Sequence, residues 1–157
     1  MTNSVRLATS ADITELIELM AEFHGESGYG LNKDLARRAF SELIEDPKMG
    51  QVWLLQQDNR VAGYIVLTVC FSMEYGGRAA FIDDLFVRSE FRRLGLGRCA
   101  MEALISECRS RGVIAVHVEV GRSNQPAKKL YAKFGLRDHD IDRQLLTVRL
   151  KEQTTAL

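Results

Sequence analysis

The residues whose types and spacing can do chemistry cluster between Phe81 and Arg98. An apolar run, Phe81-Ile82-Asp83-Asp84-Leu85-Phe86-Val87, leads into a polar bend, Arg88-Ser89-Glu90-Phe91. The basic segment Arg92-Arg93-Leu94-Gly95-Leu96-Gly97-Arg98 follows, and then an amphipathic run from Cys99 to Arg111. The order reads strand, tight basic loop, helix. Glycines spaced by one residue let backbone approach a ligand closely. The unpaired N–H groups at a helix start, with the positive end of its dipole, attract an anion. Arg92, Arg93 and Arg98 add forked donors suited to phosphate oxygens. The stretch is built like a cradle for a pyrophosphate.

Two carboxylates sit in the strand that feeds this loop. Asp83 and Asp84 are adjacent, so a regular strand points them to opposite faces. Burying both without partners is costly, so at least one should line a polar cavity. Asp83 shares a face with Phe81 and Leu85. Its bland alternative is a strand-end carboxylate tied to an arginine. Farther along, Tyr131 lies between Leu130 and Phe134 at helical spacing, where an aromatic ordinarily fills a helix face. Glu119 closes an apolar strand and reads first as a solvated carboxylate. Glu22, His24 and Glu26 form an acidic helix end beside a glycine loop. His117 reads as a hydrogen-bonded core residue, and His139 sits in a charged loop. No cluster has the spacing of a metal site.

These groups need a scaffold. Val5–Ala8 reads as a first strand. Ser10 caps a helix carrying Ile13, Leu16, Ile17, Met20 and Phe23 on one face. Gly25 and Gly28 end it. Asn32 or Asp34 opens a second helix, which Asp46-Pro47 stops. Val52–Leu55 and Val61–Phe71 are strands joined at Asp58-Asn59, a hairpin. Tyr75-Gly76-Gly77-Arg78 turns into the Phe81 strand, so the sequential strands run antiparallel. Val113–Val120 is apolar enough to be a parallel strand reached by a helical crossover. Gly121–Pro126 is a loop holding Asn124, with Pro126 suited to the first turn of a helix that Gly135 closes. Leu136–Asp138 and Gln144–Leu150 read as two final strands, and the tail from Lys151 as frayed. The expected fold is α/β (α+β), a mixed, mostly antiparallel sheet with helices on both faces.

The chain has 157 residues, read as one domain over 1–157. Formal net charge is zero, so no bulk field pulls it toward nucleic acid or an anionic membrane. Any anion site must be local. The start, Met1-Thr2-Asn3-Ser4-Val5-Arg6, lacks a leader pattern, and no apolar run is long enough to span a bilayer. The odd set Cys70, Cys99 and Cys108 reads as reduced thiols of a cytoplasmic protein.

Val87, Phe91, Arg92, Gly95, Leu96 and Gly97 resemble the arginine/glutamine, two residues, glycine, one residue, glycine/alanine signature of the GNAT superfamily of N-acetyltransferases. Asn124, Ala127, Leu130-Tyr131 and Phe134-Gly135 resemble that family's later asparagine loop, helix, tyrosine and glycine. The two lie in family order, separated by one helix and one strand. Ser89 departs from the proline common there. The resemblance implies acetyl-CoA as donor, an amine as acceptor, and direct attack in a ternary complex.

It also implies splayed central strands. Backbone of Leu85, Phe86 and Val87 would then hold the pantetheine arm, and the Leu85 N–H the oxyanion. Arg92, Arg93, Leu94, Gly95, Leu96 and Gly97 would hold the pyrophosphate with Arg98 nearby, and Asn124 would touch the pantetheine. Tyr131 would protonate the leaving thiolate, because a phenol and a thiol are weak acids of comparable strength. The run Ile82–Val87 and the helix Ile17–Phe23 look like those of diamine (spermidine/spermine) acetyltransferases. That likeness implies Asp83 as amine binder or water-linked base, with Glu119 the alternative, and Glu22, His24 and Glu26 as negative charge for a cationic amine. It fades at Ile141-Asp142-Arg143, where those enzymes carry an aromatic.

The resulting expectation is transfer of acetyl to a primary amine of a small molecule, with a protein or peptide amine as alternative. A homodimer through Leu145–Leu150 fits family habit. A non-catalytic acyl-CoA sensor would need the loop but neither Tyr131 nor Asp83. A P-loop nucleotide site is disfavoured by the missing lysine-serine/threonine ending.

Overall fold

A computed structural model describes residues 1–138 and 142–151. Its elements are β1 (Asn3–Leu7), α1 (Ile13–Glu26), α2 (Lys33–Glu45), β2 (Gly50–Gln57), β3 (Arg60–Ser72), β4 (Gly77–Val87), α3 (Leu96–Ser110), β5 (Ala115–Val118) and α4 (Gln125–Ala132). Among the described residues the sheet has five strands in sequence order, β1 to β5. The first four pair antiparallel, and β5 joins β4 in parallel through the α3 crossover. The fold is thus a mixed, mostly antiparallel sheet with helices on both faces.

The alternation of side chains sorts the core into two layers. Val52, Leu54, Tyr64, Val66 and Phe86 pack with Leu16, Ile17 and Phe40 under α1 and α2. Trp53, Leu55, Ile65, Leu67 and Ile82 pack with Leu96, Met101 and Leu104 under α3, where Tyr131 of α4 joins them. Both faces are covered, which is why β2 and β3 read as continuous apolar runs. The hairpin turn is as expected: Asp58 and Asn59 both take positive φ, 47° and 62°, the geometry of a type I′ turn. Asn32 caps α2, its side chain accepting from the Leu35 N–H at 3.0 Å.

Three expectations need correction. The first helix is not opened by Ser10; Thr9 precedes a 3-10 turn, Ser10–Asp12, and its N–H donates to the Asp12 carboxylate at 2.8 Å. Arg6 holds the same carboxylate and keeps it well below the usual range, at about 2. The parallel strand is shorter than Val113–Val120, because it pairs only with Ala79–Ile82 and β4 then turns away. The two final strands are absent from the described residues: 136–138 and 142–151 belong to no strand. Their sequence has strand propensity, but propensity forms a strand only where a ladder partner is met. Leu145, Leu146, Val148 and Leu150 are left 77–92% exposed. His139 and Ile141 lie outside the described residues.

Candidate active site

The loop expected to bind an anion joins β4 to α3. Gly95 stands at the N-cap of α3 with φ +88°, a conformation that a side chain strains. Arg93, two residues earlier, also takes positive φ, 63°. The first intrahelical bond of α3 runs from the Cys99 N–H to the Gly95 carbonyl at 3.1 Å. The N–H groups of Leu96, Gly97 and Arg98 therefore precede the helix ladder and remain for a ligand. A Cβ at Gly97 would lie 3.0 Å from Leu130 Cδ2, so this glycine also lets α4 pack against the start of α3. A residue far away in sequence fixes the loop: Asn3 of β1 donates to the Leu94 carbonyl at 2.7 Å and accepts from Gln57 at 3.1 Å.

The three loop arginines are not equivalent. Arg92 turns back toward α1, donating Nε to the Val87 carbonyl at 2.8 Å and pairing with Glu26. Arg98 pairs with Glu102 one turn on, at 2.8 Å. Arg93 is exposed and makes no hydrogen bond or ion pair with the described residues. It is the arginine most ready for an incoming phosphate.

The strand before the loop opens as the cradle requires. β4 pairs with β5 only to Ile82↔Val118. On its other side, the register with β3 slips at Asp83, where Ile82 faces Leu67 and Asp84 faces Val66. This is a β-bulge, which bends the strand and steepens its twist. Beyond it the Arg88 N–H donates to the Ala62 carbonyl at 2.8 Å. Antiparallel pairs alternate, so Phe86 bonds across to Tyr64, whereas Leu85 and Val87 turn their N–H and C=O toward the gap left by β5. Of the three residues expected to hold the pantetheine arm, Leu85 turns its N–H and C=O to the gap, Val87 its N–H with its carbonyl held by Arg92, and Phe86 neither.

The bulge shifts the alternation along β4, so that Ile82 packs under α3 while Asp84 and Phe86 lie in register with Val66 and Tyr64. Asp83 is exposed. Asp84 accepts a hydrogen bond from the Tyr64 hydroxyl at 2.9 Å. Burial raises the Asp84 carboxyl above the usual range; Tyr64 and His24 counter this, and Asp83 adds to it. The Tyr131 hydroxyl is likewise held protonated by burial and, secondarily, by the negative charge of Asp84. Tyr131 is 7% exposed, on the α3–α4 side of the sheet.

Other candidates are placed plainly. Asn124 caps α4, its side chain accepting from the Ala127 N–H at 3.2 Å. Glu119 is exposed just past the end of β5. His117 lies between the rings of Phe81 and Tyr75, at 5.1 and 5.4 Å. Glu22 is held by Arg88 at 2.8 Å, and Glu26 by Arg92. The acidic helix end expected to attract a cation is thus neutralised by its own chain. A cleft along the outer edge of β5 includes Tyr131, His117 and Phe134 but no loop residue from Arg92 to Arg98.

Sequence reasoning missed Asn3, Arg88 and Tyr64. Arg88 ties β4 to α1 through Glu15 and Glu22 and to β3 through the Val61 carbonyl. Only the bend position of Arg88 was visible, because its partners lie 27 to 73 residues away.

The strand bulged away from its parallel neighbour thus runs into a glycine-capped helix start, with a buried tyrosine on the same side of the sheet. The Acetyltransferase (GNAT) family model matches residues 13–136, and the chain belongs to that family. A ribosomal protein bS18-alanine N-acetyltransferase of Salmonella typhimurium is 34% identical over 89 residues, 57% of this chain. That match spans 56% of the relative's own length, little more than half. An integron cassette protein from the mobile metagenome of Cole Harbour Salt Marsh is 39% identical, with TM-score 0.83 over 95% of this chain and 91% of that one. A predicted acetyltransferase of Clostridium acetobutylicum, solved with acetyl-CoA, shares the fold at 17% identity, with TM-score 0.76 over 92% of this chain and 96% of that one. No diamine acetyltransferase is among these relatives, so the finer likeness to that branch is not carried forward.

Proposed function

We propose that the chain transfers acetyl from acetyl-CoA to the primary amine of a small molecule by direct attack. The observation that carries this reading is the gap opened by the Asp83 bulge, because it joins the Gly95–Gly97 cradle to Leu85, Val87 and Tyr131. The pyrophosphate rests on the N–H groups of Leu96, Gly97 and Arg98, with Arg93 free to close on it. The pantetheine arm lies along Leu85 and Val87 as an added strand would, with Asn124 and Leu94 flanking it. To bond there it takes the Val87 carbonyl from Arg92. The Leu85 N–H supports the oxyanion, and Tyr131 protonates the departing thiolate. Asp83, exposed at the bulge, accepts the amine's proton through water.

A second reading, an α-amine of a peptide or protein, is favoured by two observations. Curated relatives are ribosomal-protein-alanine acetyltransferases, and the neutralised Glu22 and Glu26 leave no acidic surface patch there for a polycation. Thiol release from acetyl-CoA with a panel of alkylamines, polyamines, aminoglycosides and short peptides separates the readings. Turnover of small amines supports the first, turnover of peptides alone the second. Acetyl-CoA binding without turnover of any amine leaves a sensor instead. A homodimer belongs to the same proposal, with Leu145–Leu150 exposed on a single chain. Sedimentation of the wild type should show twice the monomer mass; a monomer at high concentration removes that part.

A further inference from the structure

Two arginines between β4 and α3 reach back to α1, and they are held differently. Arg88 donates Nε and one terminal nitrogen to Glu22, the same nitrogen to Glu15 and the other to the Val61 carbonyl. Its side chain is 21% exposed. Arg92 donates Nε to the Val87 carbonyl and a terminal nitrogen to Glu26, and its side chain is 44% exposed. Its guanidinium also lies over the Phe86 ring, 5.8 Å from the centroid. Exposed ion pairs hold weakly, so Arg88 is an anchor and Arg92 can exchange partners.

Glu26 is placed where a helix does not favour it. It is the last residue of α1, the end that the helix dipole makes negative. Helix preference therefore does not account for this carboxylate, whereas its pairing with Arg92 does. The turn it ends is closed by three bonds. The Ser27 and Tyr29 N–H groups donate to the His24 carbonyl at 3.1 and 3.0 Å, and the Gly28 N–H to the Gly25 carbonyl at 3.0 Å.

Arg92 also stands three residues before Gly95, the N-cap of α3. Resting on the transferase reading, in which that helix start holds the donor's diphosphate, we infer that Glu26 is an internal stand-in for the donor's phosphate on Arg92. Glu26 keeps the guanidinium on α1 until the donor arrives, and the diphosphate then takes it. The diphosphate carries more negative charge than one exposed carboxylate and offers paired oxygens to the guanidinium fork. The pantetheine arm acts in the same direction, because it claims the Val87 carbonyl from the same side chain. Glu26, left without Arg92, faces the negative end of its own helix, and the last turn of α1 loosens. One side chain thus couples donor binding to α1, and Glu26 is a positioning residue that lowers donor affinity by competing for it.

Calorimetric titration of acetyl-CoA measures the competition. Glu26→Gln changes an exposed residue at a helix end, so the fold should persist. It should tighten acetyl-CoA binding by about twofold to fivefold, the scale of an exposed ion pair. Glu22→Gln removes an equal charge one turn earlier, from a carboxylate that Arg88 holds, and should leave the affinity unchanged. With Arg92→Gln already in place, Glu26→Gln should have no effect, because no guanidinium is left to contest. Amide exchange gives a readout apart from affinity. In the wild type, acetyl-CoA should quicken exchange of the Ser27, Gly28 and Tyr29 N–H groups. In Glu26→Gln, with no charge at the helix end, the donor should not change their exchange. Equal or weaker binding by Glu26→Gln overturns the inference. Equal tightening by Glu22→Gln, or tightening that survives Arg92→Gln, also overturns it, since a general field would then suffice. So does donor binding that leaves the three amides unchanged in the wild type. If the wild type binds no acetyl-CoA, the transferase reading fails first; if it binds and Glu26 has no effect, this inference fails alone.

Discussion

Tyr131 shows how a single side chain can carry two explanations that a measurement separates. Its burial alone accounts for a packed helix face. Its contact with the field of Asp84 across the gap does not follow from packing. Both influences hold the phenol protonated, the form required to give a proton to a thiolate. Tyr131→Phe keeps the ring and the packing. It should lower kcat by about 100-fold or more, the scale of a lost general acid, while acetyl-CoA affinity holds. Near-normal kcat removes the role. The glycines, Asn124 and Tyr131 were legible in the sequence because motif spacing marks them. The two aspartates were legible as a pair with different surroundings, but the slip in register between Ile82 and Asp84 was not, since alternation presumes a regular strand. Arg92 was read as a phosphate ligand by type, yet its guanidinium is spent on Val87 and Glu26.

At the level of elements, the sequence-local signals held apart from the Ser10 cap, and the long-range ones were invisible. Helical periodicity, the Asp58-Asn59 turn and the Asn32 cap of α2 were readable because their physics spans a few residues. The end of β5 was not, because it depends on where β4 bends. Nor was the hold of β1 on the donor loop, which joins Asn3 to Leu94. That hold predicts a graded effect. Asn3→Ala removes one hydrogen bond from the loop's carbonyl, worth about 0.5–1.5 kcal/mol, so acetyl-CoA affinity should fall by roughly twofold to tenfold. The fold should persist, since β1 keeps its ladder with β2. Calorimetry on the folded variant checks this, and unchanged affinity would show that the loop holds its shape unaided.

For the whole molecule, the arrangement is a sheet used from both sides. One face, under α3 and α4, carries the helix start proposed to hold the donor's phosphates. The other, under α1 and α2, holds the half-buried Asp84 against the Tyr64 hydroxyl. Arg88 and Arg92 bind α1 to the end of β4, so the two sides are mechanically joined at the strand that carries the gap. Arg92 occupies the Val87 carbonyl that the pantetheine arm would need, so donor binding should disturb its pairing with Glu26 and reach α1. No helix among the described residues is long and apolar enough to cross a membrane. The exposed leucines of the C-terminal stretch are the part of the fold least determined by local sequence, since an edge strand takes its order from whatever pairs with it.

The central claim is that the turn from β4 into α3 holds the donor. Titration of acetyl-CoA into the wild type and into Gly97→Glu, monitored by calorimetry, tests it most directly. A Cβ at this position meets only the flexible end of Leu130, so circular dichroism should show the variant folded. The wild type should bind one acetyl-CoA per chain, and the folded variant, with a carboxylate where phosphate would sit, none. Equal affinity in the two proteins would contradict the account.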